Sequence, residues 1–248
     1  MFKWLVRIFG RLRRPSIHRE GPERPAAPLS VLLWGPSYDA QTHHTAKWLA
    51  NLKIPDNVTR HTLIGPSMKS SDIESLLRVT QDCRQLAIFC GHGIVDALLG
   101  PPQGDANDLA AYDGRHSQIY KAVMMPGGPT LLFAFCCRAA RGLGLKFASL
   151  PNRAFLGYDD DLLLNVRDEE CSETWKRIIE TISGELIEDG DILPKHEKDL
   201  KQLYEAAFEY FRDGEGRNNP ESTEMQMSLL RQAARIRRYE GAVNVSHI

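Results

Sequence analysis

The feature that most constrains this chain is an apolar segment that ends abruptly in two cysteines. Residues 130–135 read Thr-Leu-Leu-Phe-Ala-Phe, and Cys136, Cys137 and Arg138 follow at once. An uninterrupted apolar run of this length, entered through the prolines and glycines of residues 126–129, is typical of a strand buried on both faces in a parallel sheet. Ligands of open α/β sheets bind at the carboxyl ends of such strands. The sequence therefore places both cysteines at a candidate functional edge.

A second segment has the same pattern. Residues 85–90 form an apolar run that ends in Gly91, His92 and Gly93. Glycines on both sides of the histidine leave its ring uncrowded and let the backbone turn sharply. If the two strands are neighbours, His92 and Cys137 lie within reach of each other. A thiol beside an imidazole is the arrangement that an activated cysteine nucleophile requires.

The order of these groups resembles the caspase-like cysteine peptidases, which include caspases, metacaspases, legumain, gingipains and bacterial CHAT-type proteases. His92, followed by glycine, precedes Cys137 by 45 residues, and in caspases the histidine stands about 50 residues before the cysteine. The tract Cys136-Cys137-Arg138 is similar to the family's small-Cys-polar tract, which favours Cys137 over Cys136 as the nucleophile. The resemblance covers residues 29–185 and points to a bacterial member.

The resemblance implies a cysteine endopeptidase that hydrolyses peptide bonds through a thioester. His92 would deprotonate Cys137 and later protonate the leaving amine. The backbone N–H groups of Gly93 and Cys137 would form the oxyanion hole. Neither a metal nor a cofactor is expected. The expected partners are a protein or peptide substrate and a partner that activates regulated cleavage. The alternative is an inactive scaffold of the same fold that acts as a protein-interaction module.

Residues near the two strand ends are the candidates for substrate binding. Phe135 stands two residues before Cys137, where the family often has a polar residue beside the pocket for P1, the substrate residue that precedes the cleaved bond. A preference for Asp, Lys or Arg therefore does not follow. Arg138 is expected either to bind a substrate carboxylate or to cap a turn. Asp159 and Asp160 would select a basic substrate residue, hold a cation, or form a solvated acidic turn.

Two adjacent histidines and the remaining cysteines have less specific interpretations. His43 and His44 fall near the start of a helix that Ser37 or Asp39 would cap, and they either line the site edge or lie on the surface. The five cysteines include no CxxC pair, so neither a disulfide framework nor a zinc site is predicted. Cys136 is either open to a vicinal disulfide and redox control or a buried inert thiol. The other three cysteines are predicted to be structural.

The alternation of apolar segments and amphipathic segments predicts an α/β fold. Strands are predicted at residues 29–34, 60–65, 85–90, 130–135 and 153–158. Helices are predicted at residues 39–52, 70–79, 117–124, 173–188, 196–212 and 221–239. Together with the resemblance, this order predicts a three-layer α/β/α sandwich with a mostly parallel central sheet, plus C-terminal helices.

The chain divides into three predicted parts. Residues 1–28 form a basic amphipathic segment with a proline-rich linker, residues 29–190 the caspase-like catalytic domain, and residues 191–248 a C-terminal helical extension. Residues 1–28 carry seven basic and two acidic residues. Their first part, residues 1–14, is predicted to form a helix that contacts an anionic membrane surface weakly or enters a partner's groove. Docking on its own domain, or fraying, is the alternative.

Composition disfavours several classes of protein. The net charge of −1 gives no overall attraction to nucleic acid, and a nucleotide binder is disfavoured because no glycine-rich phosphate loop follows the first strand. The chain contains no apolar run of bilayer length, and its N-terminus lacks the pattern of a secretory signal. Because cysteines that form no disulfide framework suit a reducing compartment, a cytoplasmic location is expected.

Overall fold

The structure, a computed structural model, describes residues 29–66, 75–76, 84–100 and 128–241. The N-terminal helix predicted at residues 1–14 and the linker that follows it lie outside the described residues. The same is true of the helix predicted at residues 117–124. Of the helix predicted at residues 70–79, Ser75 and Leu76 are described, and both are helical.

Strands and helices alternate along the described chain. The strands are β1 (Leu29–Pro36), β2 (Thr59–Gly65), β3 (Arg84–Cys90), β4 (Gly93–Ile94), β5 (Ala97–Leu98), β6 (Leu131–Phe135), β7 (Ala154–Tyr158) and β8 (Ile236–Glu240). The helices are α1 (Ala40–Ala50), α2 (Leu143–Ala148), α3 (Glu169–Asp189), α4 (Pro194–Asp213) and α5 (Ser222–Ala233), with a 3-10 helix at Glu215–Asn218. The five strands expected from the sequence agree with β1, β2, β3, β6 and β7 to within two residues at each end.

A six-stranded sheet forms the centre of the molecule, in the order β2-β1-β3-β6-β7-β8. All neighbouring strands are parallel except β7 and β8, which are antiparallel. β4 and β5 form a separate short hairpin. The prediction of an α/β fold with a mostly parallel central sheet and C-terminal helices is confirmed.

The strand that carries His92 lies beside the strand that carries Cys137. β3 pairs with β6 in parallel, with Cys90 opposite Phe135. The Gly91 N–H donates to the Phe135 carbonyl at 3.3 Å and continues the pairing one residue beyond β3. The two strands are therefore neighbours, which is the condition for bringing His92 and Cys137 to one place.

Successive side chains of a strand point to opposite faces of the sheet, and in β1, β3, β6 and β7 the side chains on both faces are buried. In β1, Val31 and Leu33 belong to one hydrophobic core, and Leu32 and Trp34 belong to a second. α1, α3, α4 and α5 contribute side chains to the first core, while α2 contributes to the second. This double burial accounts for the uninterrupted apolar runs in the sequence.

The last part of the chain differs from its prediction. The helix expected at residues 221–239 ends at Ala233, and Ile236–Glu240 forms β8 instead. Ile236 is buried in the first core, whereas the ring of Tyr239 stacks on Phe155 of β7. Odd and even positions thus pack on opposite faces, as a strand requires. The segment after residue 190 therefore packs into the same core as the rest and supplies the sixth strand.

The two long helices follow their predictions more closely. α3 begins after Asp168, whose side chain accepts the Cys171 N–H at 2.9 Å, and ends at Gly190, which has a φ of 58°. An aspartate N-cap and a left-handed glycine are common signals for the two ends of a helix. α4 starts with Pro194 at its first turn, where the missing N–H costs nothing.

One buried carboxyl on α3 makes the stability of the fold depend on pH. Among the described residues, the Oε2 atom of Glu185 is buried and has no hydrogen-bond partner. Burial, reinforced by the negative charge of Asp199, raises the pKa of Glu185 to about 7 from 4.5. Because the folded chain favours the neutral acid, this group contributes stability below pH 4.5, and the contribution is lost as pH rises to 7.

We expect Glu185→Gln to stabilise the protein at pH 8 and to have little effect at pH 4.5. The gain at pH 8 should be about 1 kcal/mol, well below the full shift, because water screens this partly exposed side chain. Urea unfolding at the two pH values measures the difference. Glu205→Gln, at an exposed position of α4, is the matched control and should show no such pH-dependent gain. Equal effects of Glu185→Gln at both pH values would contradict the assignment.

Candidate active site

The candidate site lies where the strand order of the sheet reverses. β1 has β2 on one side and β3 on the other, so the chain moves outward after β1 and back across it after β2. Such a reversal opens a crevice at the carboxyl ends of the strands. Asp39 follows β1, His92 follows β3, and Cys137 follows β6. A small pocket at this edge, partly open to solvent, is lined by Gln41, Thr42, Thr45, Gly91, His92, Phe135, Cys137, Leu162 and Leu164.

A glycine brings the histidine segment close to the cysteine segment. A Cβ atom at Gly93 would lie 2.6 Å from Cys136 Sγ and 2.7 Å from the Cys137 carbonyl oxygen. Real Cβ atoms do not approach other atoms so closely, so a larger residue would force the two segments apart. His92, one residue before Gly93, therefore stands on the backbone segment that packs against Cys137. The two predicted catalytic residues line the same pocket.

His92 has a partner that the sequence does not indicate. Its Nε2 atom lies 2.6 Å from Asp39 Oδ2. Asp39 is also the N-cap of α1, where its Oδ1 accepts the Thr42 N–H at 2.8 Å. The sequence predicts only the capping role. The one sequence feature that could have indicated this contact is that Asp39 and His92 each follow a predicted strand. Using it requires knowing that the two strands are neighbours, and the sequence alone does not give the strand order.

The charge of Asp39 determines which nitrogen of His92 is protonated. Burial alone would raise the pKa of Asp39, but the hydrogen bonds from the Thr42 N–H and from His92 outweigh it and hold the pKa below its ordinary value. An ionised carboxylate only accepts hydrogen bonds, so the ring Nε2 is the donor. Nδ1 is then the nitrogen that can take a proton from a thiol.

Cys137 is half-buried, and a different segment holds its sulfur. The Leu162 N–H donates to Cys137 Sγ at 3.2 Å. Burial raises the pKa of the Cys137 thiol above its ordinary value, and the hydrogen bond from Leu162 offsets this only in part. In the part of the chain that the structure describes, no hydrogen bond joins this sulfur to His92. In this arrangement the thiol is protonated at neutral pH.

The predicted oxyanion hole is placed at the same edge. The Cys137 N–H donates to no backbone carbonyl among the described residues. The next residue, Arg138, has a φ of 55°, and its N–H donates to the Asp160 carbonyl at 3.1 Å. This left-handed residue turns the chain immediately after the cysteine. Gly93 faces the same turn at close range, so the two predicted N–H donors belong to segments that touch.

The structure places the predicted acidic residues away from the pocket. The side chains of Asp159 and Asp160 are only 16% and 13% exposed. Asp159 pairs with Arg237 at 2.7 Å, and Asp160 pairs with Arg231 at 3.0 Å. The arginines around residues 159–161 are Arg138, Arg141, Arg231, Arg235 and Arg237. Internal guanidinium groups therefore neutralise these carboxylates. This contradicts all three expectations for Asp159 and Asp160: selection of a basic substrate residue, a cation site, and a solvated acidic turn.

The other candidate residues divide into those inside and those outside the pocket. Phe135 lines it, with its ring buried and edge-on to Tyr158. Arg138 pairs with Asp161 of its own chain and does not line it. His43 is exposed on α1 and is not among the lining residues. Its position on the outward face of the helix corrects the assignment to the site edge.

The described residues include four free thiols: Cys90, Cys136, Cys137 and Cys171. Cys83 lies outside the described residues. Cys136 is fully buried, and burial raises its pKa well above the ordinary value. It forms no vicinal disulfide with Cys137 in this structure. These properties fit a buried inert thiol better than a redox switch.

The segment that holds the sulfur is itself held by α5. The Leu163 carbonyl accepts hydrogen bonds from Ser228 Oγ at 2.6 Å and from Gln232 Nε2 at 2.8 Å. These bonds fix the backbone on both sides of Leu163, so Leu162 and Leu164 stay in the pocket wall. No motif near the cysteine indicates this dependence on the C-terminal helices. The residues of α1 that line the pocket have no sequence signal either.

The described part of the chain contains neither a membrane-spanning helix nor a cluster of metal ligands. None of its helices has the length and apolar character needed to cross a membrane. Within the same ranges, no three histidine, cysteine, aspartate or glutamate side chains converge as metal ligands would. Both findings concern only residues 29–66, 75–76, 84–100 and 128–241.

Comparison of the sequence with models of known protein families and with curated proteins finds no match. A function for this chain must therefore be inferred from the chemistry of its own residues. The groups that carry most of that chemistry are Asp39, His92 and Cys137.

The raised pKa of Cys137 predicts slow alkylation of the resting chain at neutral pH. The thiolate is the reactive form, so the rate with iodoacetamide should rise about tenfold per pH unit from pH 7 to pH 9. Intact-mass analysis over time measures the rate. Cys137→Ser is the control that identifies the site, since the other described cysteines are buried. A rate that is already constant below pH 8 would show that the thiolate forms without any rearrangement.

Proposed function

We propose that this chain is a caspase-like cysteine endopeptidase whose catalytic domain is a three-layer α/β/α sandwich. The observation that carries the proposal is the placement of His92 and Cys137 at the ends of the adjacent parallel strands β3 and β6, on one pocket. The order of these residues matches the family that the sequence resembles. Helices contribute to cores on both faces of the sheet, which supports the layered arrangement.

The proposed reaction begins with proton transfer from Cys137 Sγ to Nδ1 of His92. The thiolate attacks the carbonyl carbon of the substrate, and the oxygen becomes negative. The N–H groups of Gly93 and Cys137 stabilise that oxygen. The C–N bond then breaks, and His92 gives its proton to the departing amine. Water, deprotonated by His92, hydrolyses the thioester and frees Cys137 and a carboxylic acid.

Asp39 acts as a positioning residue in this proposal. Its carboxylate accepts the Nε2 proton of His92, which leaves Nδ1 as the ring nitrogen that accepts the proton of the thiol. It also stabilises the imidazolium that forms when the thiol loses its proton. Because Asp39 is held by the first turn of α1, the ring has little freedom to rotate away.

The resting thiol requires a change before it can react. Leu162 donates to the sulfur in place of His92, and the segment around Leu163 is fixed to α5. Substrate or an activating partner would shift this segment and let the imidazole approach. Apo geometry of this kind does not exclude a catalytic pair, because catalytic hydrogen bonds often tighten only in the complex. A cytoplasmic location is part of the proposal and suits the free thiols.

The second candidate function is an inactive scaffold of the same fold that acts as a protein-interaction module. The observation in its favour is the raised pKa of Cys137, whose sulfur is bonded to Leu162 rather than to His92. In such a scaffold the thiol would stay protonated in every state of the protein. Reactivity toward a peptide-like electrophile separates the two functions.

We expect a peptidyl acyloxymethyl ketone to modify Cys137 in the full chain. His92→Ala should slow the modification by at least about 100-fold, because the general base is lost. Cys137→Ser should abolish it. His43→Ala, at an exposed histidine outside the pocket, is the matched control and should react at the unchanged rate. Equal rates for His92→Ala and the unaltered chain would rule out the base and favour the scaffold.

Substitution of Asp39 separates its two roles. Asp39→Asn keeps a side chain that caps helices well, so the free energy of unfolding should change by less than about 1 kcal/mol. It removes the negative charge that orients His92, so modification of Cys137 should slow by at least about tenfold. Asp39→Ala should lose both properties. Asp56→Asn, in an exposed turn, is the control. An unchanged rate in Asp39→Asn would limit Asp39 to helix capping.

A further inference from the structure

The pocket beside Cys137 has no fixed charge in its wall. Apart from Gly91, His92 and Cys137, its lining consists of uncharged side chains from three parts of the chain: Gln41, Thr42 and Thr45 of α1, Phe135 of β6, and Leu162 and Leu164 of the segment after β7. No aspartate, glutamate, lysine or arginine of the described residues lines it. The carboxylate next to this wall, Asp39, already accepts hydrogen bonds from His92 and from the Thr42 N–H, so a charged ligand side chain gains no free ionic partner in the wall.

The polar atoms of the wall are already used within the protein. Thr42 Oγ1 accepts the Asp39 N–H at 3.0 Å and donates back to the Asp39 side chain. Thr45 Oγ1 donates to the Thr42 carbonyl at 3.2 Å, and Gln41 Nε2 donates to the Leu164 carbonyl at 3.4 Å. The wall therefore offers mainly methyl and methylene groups. Phe135, 1% exposed, closes it with an aromatic ring.

The charged side chains that follow Cys137 and β7 form ion pairs with arginines and aspartates of the protein itself. Asp159 and Asp160 pair with arginines of α5 and β8, and Arg138 pairs with Asp161. None of these side chains lines the pocket. A charged ligand group in the pocket would therefore be buried without compensation, which is costly, whereas an apolar group would gain from leaving water.

The geometry of the proposed reaction identifies which part of a substrate enters. The attacked carbonyl carbon must contact Cys137 Sγ, and the leaving nitrogen must lie near His92. The residue whose carbonyl is attacked is P1, so its side chain begins next to the sulfur. The pocket shared by Cys137 and His92 is the cavity it meets first.

We infer that this chain, if it is the peptidase proposed above, selects a compact uncharged P1 side chain such as alanine, valine or leucine and discriminates against aspartate, lysine and arginine. The specificity-determining residues are Gln41, Phe135, Leu162 and Leu164. The enclosed part of the pocket is small, which also favours a compact side chain over a long one. The inference deepens the proposed function and depends on it.

Three peptidyl acyloxymethyl ketones that differ only at P1, with leucine, aspartate or lysine, test the inference. In each, the Cys137 thiolate displaces the carboxylate of the probe and forms a thioether, which intact mass detects. In the full chain, the second-order rate constant for the leucine probe should exceed those for the other two by at least about 100-fold. Comparable rates, or a preference for lysine or aspartate, would overturn the inference and leave the peptidase proposal in place.

Gln41→Glu introduces a carboxylate into the wall with almost no change of shape. It should raise the rate with the lysine probe by at least about tenfold and leave the leucine probe within a factor of about three. Ala50→Glu adds the same charge at an exposed position of α1 outside the pocket and should change neither rate. An equal gain in Ala50→Glu, or no gain in Gln41→Glu, would contradict the role of the pocket wall. Leu164→Glu provides a second position if Gln41→Glu does not fold.

Absence of any modification has a different meaning. If all three probes leave Cys137 intact while iodoacetamide still alkylates it at pH 9, the thiol is accessible but the chain does not recognise peptides. That outcome would overturn the peptidase proposal and the P1 inference together. The same experiment thus distinguishes an incorrect P1 preference from an incorrect assignment of peptidase activity.

Discussion

The hydrogen bond between Asp39 and His92 is the contact on which the site depends. It joins residues 53 positions apart in sequence, and it forms only because β1 and β3 are adjacent and parallel. The same aspartate caps α1, so the first turn of the helix, the carboxylate and the imidazole are fixed as one unit. Gly93 then allows this unit to pack directly against the cysteine segment.

The cysteine side of the candidate site depends on the C-terminal part of the chain. Cys137 receives its hydrogen bond from Leu162, and the neighbouring Leu163 carbonyl is fastened by Ser228 and Gln232 of α5. The arginines of α5 and β8 neutralise the aspartates that follow β7. The C-terminal helix α5 therefore helps to shape the pocket. A shift of α5 would move residues 162–164 and, with them, the Leu162 N–H that donates to Cys137 Sγ.

Much of the fold could be predicted from local patterns. Four apolar runs correspond to β1, β3, β6 and β7, because a strand buried on both faces of a sheet requires apolar residues at nearly every position. The fifth predicted strand, β2, lies at the edge of the sheet and is partly exposed. β8 could not be predicted in this way, since the arginines of its sequence also suit an exposed helix. Its conformation is set by pairing with β7 and by the stacking of Tyr239 on Phe155. Asp159 and Asp160 were similarly misleading, because Arg237 and Arg231, which form their shortest ion pairs, lie 78 and 71 residues further along the chain.

The sequence by itself determined that a histidine and a cysteine end two buried strands, since that information is local and depends on apolar runs and flanking glycines. Only the tertiary structure decided which strands are neighbours, which carboxylate holds His92 and which side chains wall the pocket. Those contacts join α1, the ends of β1, β3 and β6, and the segment after β7. Their proximity is set by the order of the sheet and by the packing of helices on it, and no short stretch of sequence encodes either.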